Sequence, residues 1–297
     1  MVLRAFVTRP VLGPTSTLWT SQAMALRAIS SKAVTKRVAA SPLTRPIGDE
    51  KVPLATDNSG VDTRTRAQKK ADFTNYERHL ARRRELTEEI SKSQFADIYS
   101  FRNTFGKAWI APKAYFRSDK ALYMPNFCGR TLTNPDQKGT TATLAGKLSI
   151  VRIFTAVTGE RQADSYFYVP SGTPETHDSL HAAVVSVPED GFQVVDINIP
   201  ENFAKELIVK LFIGKIKGQF QDPDRANRYF IANRKGVSKE LKAAIHLENK
   251  YAGYVYVVDK DCKIRWAACG HALDEERDSM WRVIASLKKE QTTSSTV

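Results

Sequence analysis

The chain has 297 residues, of which 42% are apolar and 26% charged, and its formal net charge is +13. This length can hold one large or two small globular domains with a sizeable core, and the positive charge favours an anionic neighbour. The three cysteines lack the spacing of a disulfide framework, which argues against a stapled secreted domain. No stretch approaches eighteen consecutive apolar residues, so we expect no membrane-spanning helix.

The first 48 residues have the composition of a mitochondrial transit peptide. Met1–Gly48 contains seven Lys or Arg and eleven Ser or Thr, and no Asp or Glu. Arg27–Ser30 resembles a matrix-peptidase cleavage site, so we expect the mature chain to begin near Ser30 or Ser31, although cleavage anywhere up to Gly48 fits the composition. A disordered basic tail is the alternative. We therefore assign residues 1–48 to a transit peptide.

Residues 49–105 are predicted to form a polar linker followed by a basic helical arm. From Arg64 onward, apolar residues recur near helical spacing. Five basic residues decorate this arm: Lys69, Lys70, Arg82, Arg83 and Arg84. They are either a solvated helix face or a surface that contacts anionic lipid or an acidic partner.

Residues 106–290 alternate between strands and helices, and residues 291–297 are predicted to be a disordered tail. Lys147–Phe154 and Phe192–Ile197 are buried strands, and a helix over Glu201–Ile216 follows. Its apolar stripe, which we expect to face the sheet, consists of Ala204, Leu207, Ile208, Leu211, Phe212 and Ile216. In the last helix, over Asp274–Leu287, the inward side chains are Met280, Val283, Ile284 and Leu287.

An apolar strand, a turn and a second strand near the end of the chain set the fold class. Tyr254–Val258 is a β-branched and aromatic run, Asp259–Lys263 supplies turn residues, and Ile264–Cys269 returns. This pattern resembles the β-hairpin near the C-terminus of thioredoxin-fold domains. In those domains the hairpin builds one half of the sheet, from a central strand to an edge strand. We therefore predict an α/β fold with a thioredoxin-like mixed sheet flanked by helices, preceded by the basic helical arm.

Thioredoxin-like folds raise the question of redox chemistry. In such enzymes the reactive cysteine follows the strand that corresponds to Lys147–Phe154, but Thr155–Glu160 contains no cysteine. Cys262 and Cys269 are expected to lie about 17–20 Å apart, too far for a disulfide. Cys128, which we expect in a turn with Gly129, is interpreted as structural or neutral. We predict no catalytic residue and no cofactor.

Metal and phosphate motifs are missing as well. The histidines and cysteines lack paired metal-ligand spacing, and no phosphate-binding loop is present. Two further hypotheses remain. One is a thioredoxin-fold thiol oxidoreductase or peroxidase of the mitochondrial matrix that uses Cys128 or Cys269. The other is a basic module that binds mitochondrial nucleic acid. Because the sequence lacks the motifs of such modules, we expect no nucleic-acid partner.

Two separated motifs resemble one protein family. Asp119–Leu132, together with Gly253–Asp259 and Cys262–Ala267, is similar to the hallmarks of the fungal mitochondrial assembly factors known as ATPase complex subunit ten. The resemblance covers roughly Phe105 to Leu287. It implies a non-catalytic assembly factor, peripheral on the matrix side of the inner membrane. Such factors help subunit 6 (subunit a) join the membrane sector of ATP synthase.

The candidate residues for contact with the client or the membrane come from the arm and the first motif region. They are Lys69, Lys70, Arg82, Arg83, Arg84, Trp109, Tyr123, Pro125 and Asn126. For the helix, extended here to Glu201–Phe220, we expect the lysines to be a solvated face, which leaves the arm as the better contact candidate. These lysines are Lys205, Lys210, Lys215 and Lys217.

Overall fold

The structure is a computed structural model of the chain. It describes residues 40–294 except 63, 78, 81–82, 85–86, 88–95, 105, 169–181, 185–186, 188 and 221. For residues 72, 96, 203, 205, 293 and 294 it describes the backbone only. Most of the predicted transit peptide, and Arg82 of the arm, therefore lie outside the described residues.

A seven-stranded mixed sheet forms the centre of the described chain. In chain order the strands are β1 (Ser41–Pro42), β2 (Trp109–Ile110), β3 (Cys128–Thr131), β4 (Lys138–Gly139), β5 (Ser149–Phe154), β6 (Gln193–Asn198), β7 (Tyr229–Ala232), β8 (Tyr254–Val258) and β9 (Ile264–Cys269). Strands β1 and β2 form a separate parallel pair, and the large sheet has the order β4-β3-β7-β6-β5-β8-β9. The central β5, β6 and β7 are parallel, and the other neighbours are antiparallel.

Eight helices can be bounded in the described chain. They are α1 (Arg66–Thr74), α2 (Ala96–Thr104), α3 (Thr141–Leu144), α4 (Val157–Asp164), α5 (Phe203–Lys217), α6 (Pro223–Asn227), α7 (Lys239–Ala244) and α8 (Asp274–Ser294). Helix α7 has Ser238 as its N-cap, whose hydroxyl accepts from the Leu241 amide at 3.1 Å. Helix α8 continues through residues 291–294, which were predicted to begin a disordered tail.

The predicted hairpin is confirmed and occupies one side of the sheet. Strand β8 pairs with central β5, and β9 forms the edge. In the turn, the Asp259 carboxylate accepts from the backbone amides of Asp261 and Lys263 at 3.0 and 2.9 Å, and Cys262 adopts a positive φ of 62°. Together with the parallel pair β5–β6, this hairpin confirms the predicted thioredoxin-like mixed sheet.

Both faces of the sheet are covered, which explains the unbroken apolar runs in its strands. Along β8, Tyr254 and Tyr256 enter one core cluster, while Val255 and Val257 enter the other. Helices α4 and α8 cover the second cluster. The predicted inward side chains of α8 are buried there, which confirms that part of the pattern: Met280, Val283, Ile284 and Leu287.

The last residues of the predicted transit peptide are part of the folded domain. Strand β1 pairs with β2, and Leu43 and Ile47 are buried in the first core cluster. The following segment is also docked, because Pro53 is buried and the Ala55 and Asp57 carbonyls accept from the Asn126 amide. Residues 49–58 are therefore in contact with the domain and do not form a free linker.

The expected turn at Cys128 and Gly129 is wrong. Both residues lie in β3, between β4 and β7. A Cβ atom at Gly129 would lie 2.3 Å from the Ile231 carbonyl oxygen. The glycine is thus required by the close approach of β7 and does not provide a turn.

The buried segment 40–48 gives a testable consequence for the N-terminus. A chain that begins at Asp49 lacks β1, Leu43 and Ile47. Burial of each of these two side chains contributes about 1.5–3 kcal/mol. We expect calorimetry to show a melting temperature lower by on the order of 10 °C than for a chain beginning at Ala40. Equal melting temperatures would contradict the packing of this segment.

Candidate contact surface

The loop that would carry a redox cysteine is closed by backbone packing. Thr155 and Ala156 follow β5, and α4 begins at Val157. The Thr158 hydroxyl donates to the Tyr251 carbonyl at 3.0 Å. A Cβ atom at Gly253 would lie 2.0 Å from the Gly159 carbonyl oxygen, so the first turn of α4 rests directly on the chain before β8. This corner holds no cysteine.

All three cysteines of the chain are free and buried. Burial raises the pKa of Cys128, and it raises the pKa values of Cys262 and Cys269 to about 11 each. Thiol nucleophiles need a lowered pKa, because the thiolate is the reactive form. The environments of these three thiols therefore oppose redox or peroxidase chemistry.

A buried cluster of charged side chains links β5, β6 and α4. Arg152 of β5 contacts Asp196 of β6, with 2.5 Å between Nε and Oδ1, and also pairs with Asp164 of α4. Arg225 of α6 extends the cluster through Asp196 and Glu189. Each cation is matched by carboxylates, which is the condition for holding charge in an apolar interior. We interpret this cluster as structural.

Sequence reasoning missed this cluster, although a signal was present. Arg152 interrupts an otherwise apolar strand, and Asp196 stands in the middle of the next one. Charges of opposite sign at central positions of two predicted neighbouring strands indicate a buried ion pair.

Asn126, which we predicted as a contact residue, is buried and ties the N-terminal segment to the domain. Its amide nitrogen donates to the carbonyls of Ala55 and Asp57 at 3.1 and 2.6 Å. Its amide oxygen accepts from the backbone and hydroxyl of Thr141, both at 3.0 Å. Because Asn126 has almost no exposed surface, its side chain is not available to a partner.

The other predicted contact residues of this region differ in how far they are buried. Trp109 lies in β2 and is buried, and Pro125 is also buried. Tyr123 is half-buried, bridges Asp49 and Lys263 through its backbone, and has the Lys263 ammonium 5.4 Å from its ring centre. Burial removes Trp109, Pro125 and Asn126 from the contact candidates and leaves Tyr123 partly accessible.

The basic arm, in contrast, is exposed. Every side chain of α1 that the structure describes is exposed, including Lys69 and Lys70, and so are Arg83 and Arg84 further along. The arm also exposes Phe73 (81%) and Tyr76 (74%). Helix α1 begins with a capping box between Thr65 and Gln68, which satisfies orphan amides locally.

The predicted inward stripe of α5 is wrong. Leu207, Ile208, Leu211 and Phe212 are 48%, 52%, 74% and 52% exposed. The half-buried side chains that pack against the domain are instead Val209, Ile213 and Ile216, so only Ile216 of the predicted stripe faces inward. The pattern was ambiguous because α5 is apolar on both sides, and a 3.6-residue period then fits two faces.

The described residues contain no group of three or more His, Cys, Asp or Glu side chains able to hold a metal ion. None of the helices in the described ranges is both long and apolar enough to cross a membrane.

Comparison with known sequences identifies the family. The sequence profile of the family described as "ATP10 protein" matches residues 27–287. The chain belongs to this family. An ATP10 relative from Eremothecium gossypii, named "Mitochondrial ATPase complex subunit ATP10", is 35% identical over 219 residues, covering 74% of this chain and 76% of the relative. The Saccharomyces cerevisiae protein of the same name is 30% identical over 260 residues, covering 86% and 90%. The predicted family resemblance is confirmed.

Solved structures give distant likenesses. A DsbF homologue from Corynebacterium diphtheriae is 14% identical with a TM-score of 0.36, covering 58% of this chain and 91% of its own. BsSco, a member of the Sco family of cytochrome c oxidase assembly proteins, is 10% identical with the same TM-score, covering 57% and 94%. At this level they carry no argument about the chemistry of this ATP10 family member.

Glu160, at the margin of the buried charge cluster, makes stability depend on pH. Burial, and then the Asp164 carboxylate, raise the pKa of Glu160 to about 7. Because the folded-state pKa is raised above the unfolded value, the group's stabilising contribution is complete at acidic pH and is lost as pH rises through about 7. We expect Glu160→Gln to raise the melting temperature by a few degrees at pH 8 and to leave it unchanged at pH 4.

The matched control is Glu77→Gln, which alters an exposed carboxylate of the arm. It should shift the melting temperature at neither pH. A Glu160→Gln effect of equal size at pH 4 and pH 8 would contradict the raised pKa.

Proposed function

We propose that this chain is an assembly factor for the membrane sector of mitochondrial ATP synthase. It helps subunit 6 (subunit a) to be incorporated, acts from the matrix face of the inner membrane, and works by contact without catalysis. Its membership of the ATP10 family, whose relatives are named as mitochondrial ATPase complex subunits, supports this proposal.

Contact is supported over catalysis by the surroundings of the thiols. The alternative function, a matrix thiol oxidoreductase or peroxidase, needs a thiolate near the surface. All three thiols are buried with raised pKa values: Cys128, Cys262 and Cys269. The loop after β5 contains no cysteine.

The exposed basic arm is the observation that carries the proposal. Helix α1 exposes all of its described side chains, so packing against the domain does not explain its apolar Phe73. A helix of nine residues is marginal in water without tertiary packing. Basic and aromatic side chains together suit a partner that combines apolar helix surface with an anionic bilayer.

The electrostatic part of this contact has a predictable size. Near an anionic membrane surface each Lys or Arg contributes about 1 kcal/mol and the effect is screened by salt. The basic residues of the arm therefore support a reversible, salt-sensitive peripheral attachment, to which Phe73 and Tyr76 add a small apolar component.

Charge reversal in the arm tests the proposal. We expect Arg82→Glu with Arg83→Glu and Arg84→Glu to release the protein from inner membranes at lower salt. We also expect reduced capture of newly made subunit 6, by up to about 100-fold in affinity. Capture is measured by affinity purification of the tagged chain from mitochondria after labelling of newly made membrane subunits. The melting temperature should remain within about 1 °C, since Arg83 and Arg84 are exposed.

The matched control reverses three exposed charges on another part of the domain. Arg234→Glu with Lys235→Glu and Lys239→Glu changes the net charge equally and should leave membrane release and subunit capture at wild-type levels. Wild-type capture and release by the arm variant would show that the arm is only a spacer.

A further inference from the structure

Helix α5 is held by one apolar face and exposes a second. Val209, Ile213 and Ile216 pack against a buried cluster that includes Phe220 and Tyr229. The opposite side exposes an apolar stripe, defined by Leu207, Ile208, Leu211 and Phe212. These residues repeat at intervals of one and four, so they form one continuous strip over two turns. An exposed strip of this kind marks an interaction site.

The charges that helix α5 itself carries are mostly basic. Lys215 and Lys217 are exposed in the last turn of the helix. By sequence the helix carries four lysines and a single acid, Glu206, which already pairs with Lys210 at 2.7 Å. Lys215 follows Leu211 by four residues and continues the line of the stripe, so the C-terminal end of the stripe carries positive charge that the helix itself does not neutralise.

This charge distribution selects among occupants of the stripe. A second copy of the chain would bring its own lysines to a shared contact, where only the paired Glu206 carries the opposite sign. An apolar helix of a membrane protein would match the stripe but would leave the lysines without a counter-charge. An anionic bilayer matches both, since acyl chains accept the apolar side chains and phosphates face the lysines.

The length of α5 agrees with a position in the plane of the bilayer. Fifteen residues extend about 22 Å, and a bilayer's hydrocarbon core is about 30 Å thick. A helix that docks on its domain by one apolar face can lie at the boundary between headgroups and acyl chains with its other apolar face inserted.

We propose that the apolar stripe of α5 inserts into the surface of an anionic phospholipid bilayer, with Lys215 and Lys217 on the lipid phosphates. The inference deepens the proposed function by adding a second attachment to that of the arm. Stable peripheral binding generally takes two signals, one apolar and one electrostatic. The arm then contributes salt-sensitive attraction, and α5 contributes apolar insertion that salt does not screen.

Flotation of the purified chain with lipid vesicles tests this inference without the client. The probes are vesicles of phosphatidylcholine mixed with phosphatidylglycerol, and vesicles of phosphatidylcholine alone. We expect Leu207→Gln with Ile208→Gln, Leu211→Gln and Phe212→Gln to weaken binding to the mixed vesicles by about 100-fold or more, at low and at high salt. We expect Lys215→Glu with Lys217→Glu to abolish the preference for the mixed vesicles.

The matched control replaces four apolar side chains elsewhere in the chain that are also about half exposed or more. These are Val52→Gln, Leu54→Gln, Val61→Gln and Leu273→Gln, and vesicle binding should remain at the wild-type level. A second measurement does not depend on the quadruple variant. An environment-sensitive fluorophore on Leu211→Cys should shift to the blue when mixed vesicles are added, because the position enters the acyl region.

Three results would overturn the inference. One is unchanged vesicle binding by the stripe variant together with an unshifted fluorophore. Another is a concentration-dependent dimer that the stripe variant loses, which would make the stripe a contact between copies. The third is loss of subunit 6 capture with vesicle binding intact, which would place the client on the stripe and leave the proposed function standing. The proposed function itself fails separately, if mitochondria lacking the chain assemble ATP synthase normally.

Discussion

The ion pair between Arg152 and Asp196 fixes the centre of the fold. These residues are register partners on the parallel strands β5 and β6, and both are buried. The Arg152 guanidinium also pairs with Asp164 and lies 5.6 and 5.9 Å from the ring centres of Phe167 and Phe154. A slip of one residue would leave these charges buried without partners, at a cost of about 3–5 kcal/mol. The pair thus specifies the register from which the hairpin and the flanking helices follow.

Much of the fold follows from local sequence pattern. The strands β5, β6, β8 and β9, the turn at Asp259 and the inward face of α8 are predicted because each has one dominant periodicity. Prediction from pattern fails on α5, because its apolar residues occupy both sides of the helix and the same periodicity fits either side as the buried one. It also fails at Gly129, because the requirement comes from β7, about a hundred residues later in the chain. Local sequence carries no signal of such an approach.

In the candidate site, too, some features could be predicted from the sequence and others could not. Exposure of the arm was predictable, since a run of basic residues is costly to bury. The burial of Asn126 and Trp109 was not, because an asparagine that satisfies backbone groups of a distant segment has the same sequence context as an exposed one. Motif residues in this family member therefore serve the fold, by holding residues 55–58 against the domain. Among the described residues, the arm and the outer face of α5 each expose several apolar side chains together with basic ones.

The interior and the surface of this thioredoxin-like domain together support the proposed action by contact. Close packing of Gly159 on Gly253 closes the corner where a reactive thiol would stand, and burial keeps the three cysteines in the thiol form. Free energy of binding must then come from apolar and basic side chains at the surface. An assembly factor needs this combination at the boundary between an anionic bilayer and an unassembled membrane subunit.

The central claim, assembly by contact without thiol chemistry, is tested most directly with a cysteine-free chain. Cys128→Ala, Cys262→Ala and Cys269→Ala are introduced together, and the chain is expressed in mitochondria that lack the native copy. The amount of assembled ATP synthase is then measured on native gels. We predict near-normal assembly, with a loss of stability of about 1–2 kcal/mol for each buried position. Failure of assembly while the cysteine-free protein remains folded and abundant would contradict the account.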